Sequence, residues 1–135
     1  MVAPVILASD KTELSWFKGD KTAWPMYLTI GNLSKDVRHE PLRHASVLLG
    51  YLPVSKLALF VNNSVAGYCL FHYCMKLLLQ PLVDAGRNSM EMVCTDGYIC
   101  RIFPILAPFI GNHPEQCLVV YCTENCCLKY LVSAG

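Results

Sequence analysis

The chain has 135 residues, enough for one domain around one core and too few for a second domain of ordinary size. Its 54% apolar and 16% charged residues exclude a disordered tail and leave little polar surface for a self-contained domain. With 11 Lys plus Arg against 10 Asp plus Glu, a net charge of +1, no electrostatic footprint for nucleic acid shows, and DNA binding is expected to be weak.

The first apolar run, Val5 to Ala8, reads as a buried strand because it is short and partly β-branched. It delivers Asp10 to the strand tip. Gly19-Asp20-Lys21 reads as a turn. A second strand is expected from Pro25 to Ile30, stopping at Gly31-Asn32, and Pro25 places its start at an edge or at that residue. Ser34 to His44 (SKDVRHEPLRH) reads as a solvated connection without an ordered element, since Asp36 and Glu40 cancel much of the charge of Arg38 and Arg43.

Ala45 to Leu52 reads as a third strand, closed by Pro53. From about Ser64, apolar residues recur at steps of three and four through Tyr68, Phe71, His72, Met75, Leu78 and Leu82, which predicts an amphipathic helix. Pro81 is expected to bend or interrupt it, and Gly86 to cap it. Within that helix Cys69, His72 and Cys74 read as buried packing rather than as metal ligands. Met90 to Thr95 reads as a fourth strand, turning at Asp96-Gly97 into Tyr98 to Phe103. Pro108 argues against a central, fully paired strand or an unbroken helix over Pro104 to Ile110, and Leu118 to Cys122 reads as a last short strand. Pro114 argues against a helix that would align His113 with Cys117.

The uncharged stretch between Lys56 and Lys76 is long enough to raise a membrane span, but Asn62, Asn63, Ser64 and His72 are costly in hydrocarbon. A buried helix is preferred, and no membrane partner is expected. Eight cysteines and the acceptor triplets Asn32-Leu33-Ser34 and Asn62-Asn63-Ser64 would suit a secreted disulfide scaffold. The N-terminal apolar run is too short for a signal peptide, lacks a basic flank and meets Asp10 and Lys11, so reduced thiols and an intracellular location are expected.

The phrases SDKTEL, GDKTAWPMYLTIGNLSKDVR, LLGYLPVSKL, PLVDAGRNSMEM, TDG, FPILAPFI and HPEQCLV, in this order, resemble the Plavaka family of fungal transposases, a branch of the CACTA or En/Spm-like cut-and-paste elements. The likeness runs from about Pro4 to Lys129. It implies an α/β domain over residues 1–135 with a partial ribonuclease H-like fold, a mixed sheet with one main covering helix, and a Cys-rich tail over 117–130. It also implies a nuclear location and transposon DNA ends as the ancestral partner.

Such enzymes hold two Mg2+ or Mn2+ ions on three carboxylates, because hard ions need anionic oxygens to replace shed water. Asp10 answers to the first. For the second the resemblance leaves two positions open: Asp96, which also reads as a turn residue, and Asn112, an amide where relatives usually carry an acid. No residue up to Gly135 answers to the third, and Glu115 and Glu124 lie too near the preceding strand to replace it. A cysteine knuckle in relatives implies Zn2+ on Cys122 and Cys127, but Leu128 and Tyr130 stand where it needs proline and cysteine. The expectation is a truncated remnant of a DDE-type catalytic domain, inactive as it stands. The alternatives are a non-enzymatic interaction module that binds an intact transposase or another protein, and a small zinc-binding protein; self-association is also expected.

Overall fold

A computed structural model describes residues 1–13, 22–53 and 64–122. Strand β1 (Val2–Ser9) is followed by a two-residue ladder of β2 (Thr12–Glu13) with β3 (Thr22–Ala23), then by β4 (Pro25–Ile30) and β5 (Ser46–Tyr51). Helix α1 (Lys35–His39) and a 3-10 turn (Pro41–Arg43) lie between β4 and β5. After them come α2 (Ser64–Asn88), β6 (Met90–Val93), β7 (Ile99–Ile110) and α3 (His113–Val120).

Five strands form one mixed sheet in the order β5-β4-β1-β7-β6. β1 is central, antiparallel to β4 and parallel to β7, with Val2 opposite Phe103 and Ala8 opposite Ile110. A parallel neighbour needs a long crossover, and α2 lies within the connection that supplies it. Being paired on both edges, β1 carries a near-continuous apolar run rather than a strict alternation. The expected α/β architecture, a mixed sheet with one main helix, is therefore present.

The core lies between the sheet and α2. Val5, Leu7 and Met26 from the sheet meet Phe71 and Met75 from the helix, with Trp24 and Leu52 closing the cluster. The Trp24 and Phe71 rings stand 5.4 Å apart at 31°, a tilted contact that adds to their burial. No helix among the described residues is long and apolar enough to cross a membrane.

Three expectations about local structure are corrected, and one about Pro108 holds. Ser34 to His44 holds α1, because Ser34 is an N-cap whose side chain accepts from the Val37 N–H. Helix α2 is not interrupted at Pro81, continues past Gly86 and stops at Ser89, whose φ of 62° turns the chain. The carbonyl that loses its donor to Pro81 belongs to Leu77, which is 60% exposed, so it is open to solvent in place of the lost bond.

Residues 99–110 form one strand, but β6 pairs only with its first four residues, so among the described residues Pro104 to Ile110 is paired on the β1 side alone, in line with the expectation from Pro108. The Phe103 N–H donates to Met1 O at 2.9 Å, so by alternation Pro104 faces away from β1, where no ladder donor is needed. Pro108 falls in the register shift between Val5 and Leu7, a bulge. The expected strand at Leu118 to Cys122 is instead mostly helix, since Asn112 and Glu115 form a capping box and Pro114 sits in the first turn, where it sacrifices no helical bond. The expected turn at Gly19-Asp20-Lys21 lies outside the described residues.

Gly86 has a packing reason. A Cβ there would meet the Pro104 carbonyl oxygen at 2.9 Å. Alanine gains about 1 kcal/mol of helix propensity, but overpacking against a fixed strand costs about 1–3 kcal/mol. Gly86→Ala is expected to lower stability by about 1 kcal/mol in urea unfolding, against the direction that propensity alone gives.

Candidate functional site

Because β1 and β7 run parallel side by side, their C-terminal ends open on the same edge of the sheet. Asp10 follows the end of β1, and Gly111-Asn112 follows the end of β7. Both Asp10 and Asn112 are exposed. The next turn of chain after each is held to the other by a buried carboxylate, that of Glu115, which is 3% exposed.

Glu115 Oε2 accepts from Ser9 Oγ at 2.9 Å, and Oε1 accepts from the Lys11 N–H at 2.9 Å. These donors flank Asp10 on both sides. Oε2 also accepts from the Asn112 N–H at 3.4 Å, while Asn112 Oδ1 accepts from the Glu115 N–H at 3.0 Å. Gly111 makes room for this arrangement, since a Cβ there would lie 2.8 Å from Glu115 Oε2 and 2.9 Å from Phe109 Cε1.

Asp96 lies elsewhere. It sits in the β6–β7 turn, where its Oδ1 accepts from the Tyr98 N–H at 3.1 Å and Gly97 adopts φ 83°. The Gly97 N–H donates to Cys94 O and the Cys94 N–H to Tyr98 O, a tight turn followed by a left-handed residue. At about 3.3 Å per residue, the 12 residues of β7 put this turn roughly 35 Å from Asn112. The structure thus brings Asp10 to Asn112 and not to Asp96.

The residues in the corner do not make a fit for the paired divalent ions of such enzymes. Asp10 supplies one carboxylate, Asn112 contributes an uncharged amide already engaged as a cap, and both Glu115 oxygens are taken by N–H and O–H donors. Hard ions need more anionic oxygen than this. Among the described residues no three His, Cys, Asp or Glu side chains are grouped to hold a metal.

The zinc reading rests partly on Cys127, which lies outside the described residues. Cys122 is half-buried, its carbonyl accepting from Tyr68 Oη at 3.3 Å. His113 and Cys117 do share a helical face, contrary to the expectation from Pro114, and approach to 3.7 Å. His72 bonds Leu118 O at 2.9 Å and packs on Tyr121, so it ties α2 to α3. The contact with the Cys69 thiol, then burial, raises the Tyr121 hydroxyl pKa above its ordinary value.

Glu115 is the residue that reasoning from sequence missed. Its signal was present as Asn112-x-x-Glu115, the spacing of a capping box.

A family model described as Plavaka transposase matches residues 1–135. No curated protein and no solved structure matches the chain. The match takes in both strand ends of the corner, Asp10 with its SDKTEL phrase and Asn112 with HPEQCLV, and by it the chain belongs to the Plavaka transposase family.

Proposed function

We propose that the chain has the fold of a ribonuclease H-like DNA transposase domain, in which Asp10 and residue 112 answer to the first two metal-binding acids, and that with Asn112 it does not cut DNA. The observation that carries this reading is the parallel pairing of β1 with β7, which sets Asp10 beside Asn112 at one sheet end. Three antiparallel strands, a crossover helix and a strand parallel to the first agree with that fold. Asp96 is then a turn residue. An amide at 112 keeps the shape of an acid without its charge, which removes the electrostatic attraction a divalent ion requires.

Supercoiled plasmid incubated with the purified chain and Mg2+ or Mn2+ is expected to stay uncut. Nicking that disappears on Asp10→Ala would overturn the assignment of inactivity. Transposon ends are the DNA that an intact relative of this kind would engage, in the nucleus. The net charge of +1 supports only weak DNA binding by this chain.

A second reading, self-association, rests on the two sheet edges. β5 exposes Val47, Leu48 and Tyr51, and β6 exposes Met90, Met92 and Val93. Apolar edge strands pair readily with another chain. Light scattering over a concentration series is expected to show growth in mass, and a concentration-independent monomer counts against it.

A further inference from the structure

We infer that Glu115 is the positioning residue of this corner: its carboxylate clamps the end of β1 to the start of α3 and so sets the spacing between residues 10 and 112. The inference rests on the reading of those two residues as the ancestral acid pair. Three features support it. The donors Ser9 Oγ and Lys11 N–H bracket Asp10, each at 2.9 Å. The same side chain closes the capping box that fixes Asn112. Gly111 leaves a space that the carboxylate fills.

A helix cap alone needs only the bond to its own N-cap. Here the carboxylate reaches two residues more than a hundred positions away in sequence, Ser9 and Lys11. Two oxygens accepting on both flanks of Asp10 leave its backbone little freedom, while its side chain stays exposed. Precise placement of a ligand residue by a buried, hydrogen-bonded neighbour is how functional groups are held to a useful tolerance.

Two measurements on the full chain test this. Amide exchange by NMR is expected to show the Lys11 N–H protected, and Glu115→Gln to reduce that protection at least tenfold while Val5 to Leu7 keep theirs. An unprotected Lys11, unchanged protection in E115Q, or an equal loss across the whole sheet each overturns the inference.

The second measurement uses Mn2+ as the probe in the Asn112→Asp variant, at a temperature where circular dichroism shows every variant folded. N112D is expected to bind Mn2+ in a manner abolished by Asp10→Asn, and adding E115Q to weaken binding at least tenfold. Equal affinity with and without E115Q overturns the positioning role. If N112D binds no Mn2+, the reading of 10 and 112 as an acid pair falls, and amide exchange alone decides whether Glu115 holds the spacing.

Discussion

Truncating Phe71 to alanine is expected to lower the unfolding free energy by about 3–5 kcal/mol, the usual range for deleting a buried aromatic ring. Phe71 is 1% exposed and is the largest fully enclosed side chain among the described residues. It stands where α2 meets the sheet, against Trp24. Losing the ring leaves a void between helix and strand that Trp24 on its β4-side anchor cannot follow, so the cost stays near the full cavity value. Phe71→Leu, which keeps most of the apolar volume, is expected to cost clearly less. Urea unfolding followed by tryptophan fluorescence reads both, and a loss below about 1 kcal/mol for the alanine variant would contradict the described core.

Glu115→Ala is expected to cost about 3 kcal/mol. It removes the acceptor for the Ser9 hydroxyl, the Lys11 N–H and the Asn112 N–H at once. Hydrogen bonds to a charged group contribute about 1.5–3 kcal/mol each, and a buried donor left alone costs about 1–3 kcal/mol. These are not additive, because water entering the emptied space satisfies part of the debt in hydrogen bonds. A matched control is Glu91→Ala. Its carboxylate faces Arg101 at 3.5 Å with both side chains more than half exposed, and such pairs contribute about 0.5 kcal/mol or less. Equal effects for the two glutamates would show that Glu115 holds nothing together.

How much of this was legible in the sequence depended on which physical signal each segment carried. β1, β4 and β5 were readable because short apolar runs are closed by Asp10, Gly31 and Pro53, respectively. The body of α2 was readable from its period of three and four. Pro81 and Pro114 were misread for one reason: a proline is penalised only where its missing N–H was needed. Pro81 faces an outer carbonyl, Pro104 a free side of the strand, Pro108 a bulge, and Pro114 a first helical turn. None of these local facts is visible without knowing which neighbour each backbone group would have met.

The candidate site was half legible. Asp10 as a strand-tip acid followed from the end of the first apolar run. The choice between Asp96 and Asn112 did not follow, because it depends on strand direction: β7 must lie parallel to β1 for its far end, not its near end, to reach Asp10. Glu115 was weighed only as a replacement acid and set aside. Its role depends on Ser9 and Lys11, which lie at the other end of the sequence and become its neighbours only through that pairing.

The same pairing has a consequence for biosynthesis. The amino terminus donates to Arg101 O at 2.7 Å, and the middle strand finds its second neighbour only in residues 103–110. A ribosome adding roughly 5–20 residues per second leaves that greasy strand one-sided for several seconds after it emerges. Nascent chains of this protein should therefore be clients of holdase chaperones until the sheet can shut.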